Sequence, residues 1–285
     1  MTKVIYNNTP KRFSLRLINP YFIITDLFKY RELISSMTIR NFRSLYQASY
    51  LGVAWQVLLP LIMLSIFYFV FGVIMGGRFT NLGDESRLDF ALALFVGLGI
   101  FNFVSINLGT APSIIMSNQA YVKTLLFPLE VLSITNVLTT FLSLVINIIL
   151  TLSVFFATKG MIHLSSIYVV FYLLCIFLIS LGLSWWLSAT AVFFRDIVAI
   201  VPPLTIILMF LCPIFYPASM VPQKIKWIVD GNPIAVIIEN ARGCMLYGTW
   251  PSLSSIVFLS IFSLSFAIMG YCFFMRSKDT FADFI

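Results

Sequence analysis

The chain holds six stretches of about 20 residues or more that carry at most one charged side chain each: 53–76, 88–110, 129–157, 166–194, 197–216 and 252–275. At about 1.5 Å per helical residue, a run of roughly 20 residues reaches across a hydrocarbon layer of about 30 Å. The third and fourth runs are longer than that and have room to tilt. Water cannot solvate so much apolar surface: 60% of the 285 residues are hydrophobic and only 10% charged, against roughly a quarter charged in soluble domains. Hydrocarbon offers peptide groups no partners, so each run must satisfy its own backbone by coiling into a helix. The expected fold is an all-α integral membrane protein with six transmembrane helices.

The basic residues set its direction. Eight of the eighteen Lys and Arg residues precede the first run, and Lys123, Arg195, Arg276 and Lys278 fall on the same side, which then holds twelve against six. Cytoplasmic loops retain Lys and Arg, so both termini are expected in the cytoplasm. That placement also removes nucleic acid as a partner, which a net charge of +7 would otherwise suggest, because the excess belongs to one membrane face. The polar start, with Lys3, Lys11, Arg12 and Arg16 and no early apolar core, gives no expectation of a cleavable signal peptide.

Two regions are neither spans nor ordinary loops. Over 26–46, plotting at 100° per residue gathers Leu27, Tyr30, Ile34, Met37 and Leu45 within roughly 80°. Lys29, Arg40 and Arg43 fall on the adjoining arc. This predicts an amphipathic helix lying in the cytoplasmic interface, its basic side toward lipid headgroups or a partner. Over 217–251, apolar residues surround Lys224, Lys226, Glu239 and Arg242, while Pro217, Pro222, Gly231, Pro233, Gly243 and Gly248 divide the region. Each piece is too short to cross, so short re-entrant helices packed on protein or lining a wet cavity are expected on the external side between spans five and six.

Little in the chain resembles catalytic equipment. The only histidine, His163, falls in a short external loop and is expected to be solvated, which leaves no Ser/His/Asp, Cys/His or zinc constellation. Cys175, Cys212, Cys244 and Cys272 are about thirty residues apart and predict neither a disulfide framework nor a metal site. Asp84, Glu85 and Asp89 read as a solvated charged loop. No glycine-rich phosphate loop is present, so nucleotide energy must come from another subunit. The span centres lack the ionisable groups that ion-coupled carriers keep there, which suits a bulky and mostly uncharged cargo. Aromatic residues crowd the first span and its approach, among them Tyr50, Trp55, Phe67, Tyr68 and Phe71. They can stack on sugar rings as channel lining, or serve as ordinary lipid-facing and interfacial residues.

The stretch RNFRSLYQASYLGVAWQVLLPLIMLSIFYFVFG, residues 40–72, resembles the permease subunits of bacterial ATP-binding-cassette exporters of O-antigen and related polysaccharides. A basic interfacial helix is followed by Leu51-Gly52, by Trp55 and by Pro60. Agreement extends to NQAYVKTLLFP at 118–128, FFRDI at 193–197, residues 213–233 and ENARG at 239–243. The resemblance covers most of the chain and implies a cytoplasmic segment over 1–50 and a six-helix permease domain over 51–285. It also implies that Arg40, Arg43, Tyr50, Leu51, Gly52 and Trp55 flank the cytoplasmic mouth, the two arginines attracting a pyrophosphate. Asn118, Tyr121 and Lys123 would face the ATPase as a coupling helix. Arg195 and Asp196 would brace the same face or pair with each other. Pro217, Met220, Pro222, Trp227, Asn232, Pro233, Glu239 and Arg242 would belong to an external gate.

By the same resemblance, the chain is a transport subunit and not an enzyme, and it binds no cofactor or metal itself. ATP and Mg would be used by a cytoplasmic ABC ATPase partner. A homodimer with two such ATPases would move an undecaprenyl-pyrophosphate-linked O-antigen polysaccharide across the bacterial plasma (inner) membrane. Permeases for teichoic acid or capsular polysaccharide share the pattern, as would a drug or lipid exporter of the same fold.

Overall fold

The computed structural model describes residues 20–45, 47, 49–74, 86–123 and 127–284. These residues are helical almost throughout and include no strand. Ten helices organise them: α1 (Pro20–Lys29), α2 (Arg31–Ser44), α3 (Trp55–Phe67), α4 (Arg87–Thr110), α5 (Glu130–Lys159), α6 (Tyr168–Phe193), α7 (Ile197–Leu211), α8 (Lys226–Asp230), α9 (Pro233–Leu246) and α10 (Leu253–Ser277). Extended by short 3₁₀, α or π segments, five stretches are long and apolar enough to cross a bilayer: Gly52–Ile74, Arg87–Ser117, Glu130–Lys159, Leu164–Phe193 and Leu253–Phe284.

The remaining expected span, 197–216, is helical only over the 15 residues of α7. The chain leaves the helix at Cys212, whose backbone is extended, and Pro213 follows without the N–H that another turn would need. At about 1.5 Å per residue α7 is some 22 Å long, short of the hydrocarbon thickness.

The centre of the bundle is α4, buried without interruption from Asp89 to Gly97 and packed on α3, α5, α6, α7 and α9. A helix apolar on every side has no solvent face to keep. Its first turn is closed by a capping box, Ser86 Oγ accepting from the Asp89 amide and Asp89 Oδ2 accepting from the Ser86 amide. The same Asp89 oxygen takes Lys159 Nζ at 2.8 Å from the end of α5. Asp89 is therefore a buried helix-capping group and not the solvated loop residue expected from its neighbourhood; Asp84 and Glu85 lie outside the described residues.

Helices α6 and α10 run parallel. Tyr168 meets Trp250 at their beginnings, with ring centroids 5.8 Å apart. Trp185 meets Tyr271 at 5.1 Å in the middle, and Phe193 meets Phe281 at 6.1 Å at the ends. Backbones come closest at Gly182 and Gly270, where a Cβ on Gly270 would run into the Gly182 carbonyl oxygen. Small residues permit such approach where apolar burial gives helices no reason to associate.

The helix expected over 26–46 divides in two, α1 and α2, at Tyr30. The stripe survives in part: Met37 is buried, and Leu27, Tyr30 and Ile34 are half-buried. Leu45 lies past the end of α2 and is exposed, because the break shifts the helical phase. α2 packs on α5.

Candidate functional site

Three groups of side chains come together at different depths. The first surrounds Gly52, whose φ of +51° lies in the left-handed region that glycine enters at little cost. The turn it makes leads into α3, and Trp55 Nε1 donates back across it to Ser49 Oγ at 2.6 Å. The Leu51-Gly52 step is thus a backbone corner clamped by Trp55. Tyr50 and Leu51 are exposed on it, as are Arg40 and Arg43 on α2. Beyond it, Pro60 sits inside α3, and the span changes to a π-helix over Tyr68–Ile74. Phe67 and Phe71 are half-buried and linked at 6.2 Å, Phe71 reaches Phe215 at 6.4 Å, and Tyr68 is exposed. Of residues 52–74 only Gln56, Leu64 and Gly72 are buried.

A second group lies at the far end of the long second span. The short helix Gln119–Val122 follows a turn at Asn118, whose Nδ2 donates to the Ile114 carbonyl at 2.8 Å. Tyr121 stacks on Phe127 at 4.3 Å, which ties this turn to the start of α5, and Lys123 is exposed. Glu130 there is buried and takes Lys278 Nζ at 3.4 Å from the end of the last span. Arg195 and Asp196 form an exposed turn between α6 and α7, and no ion pair joins them among the described residues.

The third group is centred on Arg242, which is 2% exposed. Its Nε donates to the Ala93 carbonyl of α4 at 2.6 Å, Nη2 to the Ile214 carbonyl at 2.8 Å, and Nη1 to the Pro213 carbonyl. Residues 213 and 214 are where the chain has just left α7, so their carbonyls lack helical partners and the guanidinium fork supplies three donors in one plane. Glu239, one turn earlier on α9, stands 3.8 Å from Nη1. Burial lowers the arginine from its ordinary value to about 10, with Glu239 opposing that shift, so it keeps its proton at neutral pH. Burial also pushes the Glu239 carboxyl upward, and Arg242 opposes it.

Space for the guanidinium comes from Gly97 on α4, where a Cβ would collide with Nη2. Around this pin, Asn232 caps α9 by accepting from the Ile234 amide at 3.0 Å, and Pro233 opens that helix. Ser165 Oγ donates at 2.8 Å to the Cys244 carbonyl near its other end. Pro217 is buried, whereas Met220, Pro222 and Trp227 are exposed. His163 is half-buried between Phe155, at 5.6 Å, and Gly248, and so is not the solvated loop residue its position suggested.

Sequence reasoning missed Gly97, Ser49 and a polar staple between α4 and α5. In that staple Asn107 Nδ2 donates to Thr140 Oγ1 at 2.9 Å, and Asn136 Nδ2 donates to Thr110 Oγ1 at 2.9 Å and to Asn107 Oδ1 at 3.3 Å. Gly97 left a signal, since glycine inside a helix costs about 1 kcal/mol and calls for a packing reason.

Five helical stretches long and apolar enough to cross a bilayer, with ion pairs near their ends, define a multi-span membrane protein. The chain belongs to the ABC-2 type transporter family, whose profile matches residues 32–246. It is similar to two Klebsiella pneumoniae proteins described as O-antigen export system permease protein RfbA, each 28% identical, over 260 and 259 residues, covering 89% of this chain and 95% of the relative. A Myxococcus xanthus protein of the same description is 24% identical over 267 residues, 92% of this chain and 99% of that one.

Proposed function

We propose that this chain is the permease subunit of an ATP-driven exporter that moves O-antigen or a related polysaccharide across the bacterial plasma membrane. The observation that carries this reading is similarity along nearly the full length of relatives described as O-antigen export permeases. The first span agrees with it: with three buried residues in 52–74, it offers an aromatic-rich face to a second copy of the chain and to cargo.

In this reading two copies and two cytoplasmic ABC ATPases form the exporter, and ATP and Mg are consumed in the ATPases. Cargo linked to undecaprenyl pyrophosphate approaches Arg40 and Arg43 and passes the Gly52 corner. Asn118, Tyr121 and Lys123 receive the ATPase stroke together with the 195–196 turn. α8 and α9 form the external gate. Residues 197–216 make the fifth of six crossings, leaving both termini in the cytoplasm; the parallel run of α6 and α10 supports this, since the chain must return across the layer between them.

The test is reconstitution with the candidate ATPase in lipid vesicles. ATP hydrolysis is expected to rise several-fold with lipid-linked glycan from the source cell, and deletion of the gene is expected to empty the cell surface of that polymer. Stimulation by small amphiphiles alone, with the surface polymer unchanged on deletion, would replace this reading with a drug or lipid exporter.

A further inference from the structure

A cleft of about 380 Å³ opens between α8, α9 and the start of α10, with Glu239 in its lining. Its volume falls within the roughly 300–1,000 Å³ of small-ligand sites. Its lining is more apolar than polar; the polar groups come from Glu239, Asn240, Asp230 and the serines at the start of α10, and Phe258 is among the lining residues. Glu239 is held in a defined pose: Oε2 is shut off from solvent and stands 3.8 Å from Arg242, the Ala218 backbone hydrogen-bonds to the carboxylate, and the side chain as a whole is 43% exposed. Asn240 gives one Nδ2 hydrogen to the Val236 carbonyl at 2.8 Å, which leaves Oδ1 as an acceptor and its second N–H as a donor. Asp230 is exposed at the end of α8 and adds a second carboxylate.

We infer that this cleft binds a neutral or amino sugar residue of the polymer on the external side of the gate. The inference rests on the glycan-export reading and adds to it a binding site and a sugar class. Sugar hydroxyls donate and accept at once. Here they meet carboxylates and the Asn240 amide from α8 and α9, and from the start of α10 the hydroxyls of Ser254 and Ser255. The Ser255 hydroxyl already donates to the Ser252 carbonyl at 2.8 Å and is left to accept. Phe258 is 37% exposed and offers an aromatic face to a sugar ring. The sign of the charge narrows the class. Among the described residues two carboxylates line the cleft and no basic residue does, and Arg242 is buried and directed at backbone carbonyls. Phosphate and uronic-acid groups are therefore repelled.

The test uses the full chain with its ATPase in nanodiscs made without phosphatidylethanolamine, and oligosaccharides cut from the source cell's own surface polysaccharide. Saturation-transfer NMR is expected to mark sugar-ring protons, with Phe258→Ala and Asn240→Ala weakening binding about tenfold each, the scale of one lost contact of this kind. Matching melting curves check that the variants fold; if either does not, Ser254→Ala at the exposed rim carries the comparison. Absence of transfer, transfer untouched by the folded variants, or displacement of the sugar by equimolar glycerophosphoethanolamine would each overturn the site, the last by assigning it to lipid amines. Loss of surface polymer on gene deletion together with full export by the cleft variants would remove the subsite and leave the exporter reading standing.

Discussion

Arg242 illustrates how one side chain makes a non-helical segment tolerable inside a membrane protein. A backbone that leaves its helix below the surface strands its carbonyls, and each unpartnered group costs free energy. Arg242 meets those of Pro213 and Ile214 and fastens them to α4 through Ala93. Removing it leaves three buried acceptors and an isolated Glu239, so Arg242→Gln is expected to cost about 3–5 kcal/mol, read as a lower melting temperature of the purified protein. Lysine keeps the charge without the fork and should recover part of the loss. Gly97→Ala pushes a methyl into the same guanidinium and should cost about 1–3 kcal/mol as an overpacked site. The two changes act on one contact, so the double variant should lose less than the sum, and a melting-temperature cycle over the four proteins checks it. Arg242 and Glu239 stood out in the sequence as charges among apolar neighbours, and the family resemblance placed them in an external gate. Neither showed that the partners would be backbone carbonyls, since a carbonyl leaves no trace in residue identity.

At the scale of helices, contacts are governed by small residues and by paired amides. Gly270→Ala forces α10 away from the Gly182 carbonyl and is expected to lower the melting temperature by several degrees. Gly109→Ala in α4, with nothing within 4 Å of the added methyl, should leave it unchanged or slightly higher. Asn136→Leu removes donors to Thr110 and Asn107 and should cost about 0.6–2 kcal/mol, the range for hydrogen bonds between membrane helices. Helices this long were legible, because an uninterrupted apolar run has one solution in hydrocarbon. Their ends were less so. The division of the 26–46 helix at Tyr30 is not visible in a 100° plot, which contains no neighbours, whereas the end of α7 at Leu211 had a mark in Pro213 that the continuing apolar run obscured. The π-helical stretch at Tyr68–Ile74 has the composition of an ordinary span and gave no warning.

For the molecule as a whole, the sides on which the two ends of α7 lie determine how many times the chain crosses. α6 and α10 run in the same direction, and ion pairs mark the two ends of the bundle, Asp89 with Lys159 at one and Glu130 with Lys278 at the other. Between Phe193 and Leu253 the chain travels from the second end to the first. α7 covers about 22 Å of a layer of about 30 Å. Residues 212–216 after it are bent, with the Ile214 amide donating to the Cys212 carbonyl at 2.7 Å and the Tyr216 hydroxyl to the Phe210 carbonyl at 2.9 Å. A six-crossing chain must complete the passage through this bent segment. Single cysteines at Met161 and Trp227, both exposed, are therefore expected to react with a membrane-impermeant maleimide on intact cells. Cysteines at Asp196 and Asp279, also exposed, should react only after the membrane is opened. If Asp196 and Trp227 label from the same side, α7 turns back within the bilayer, the count of crossings falls to five, and the placement of both termini in the cytoplasm fails with it.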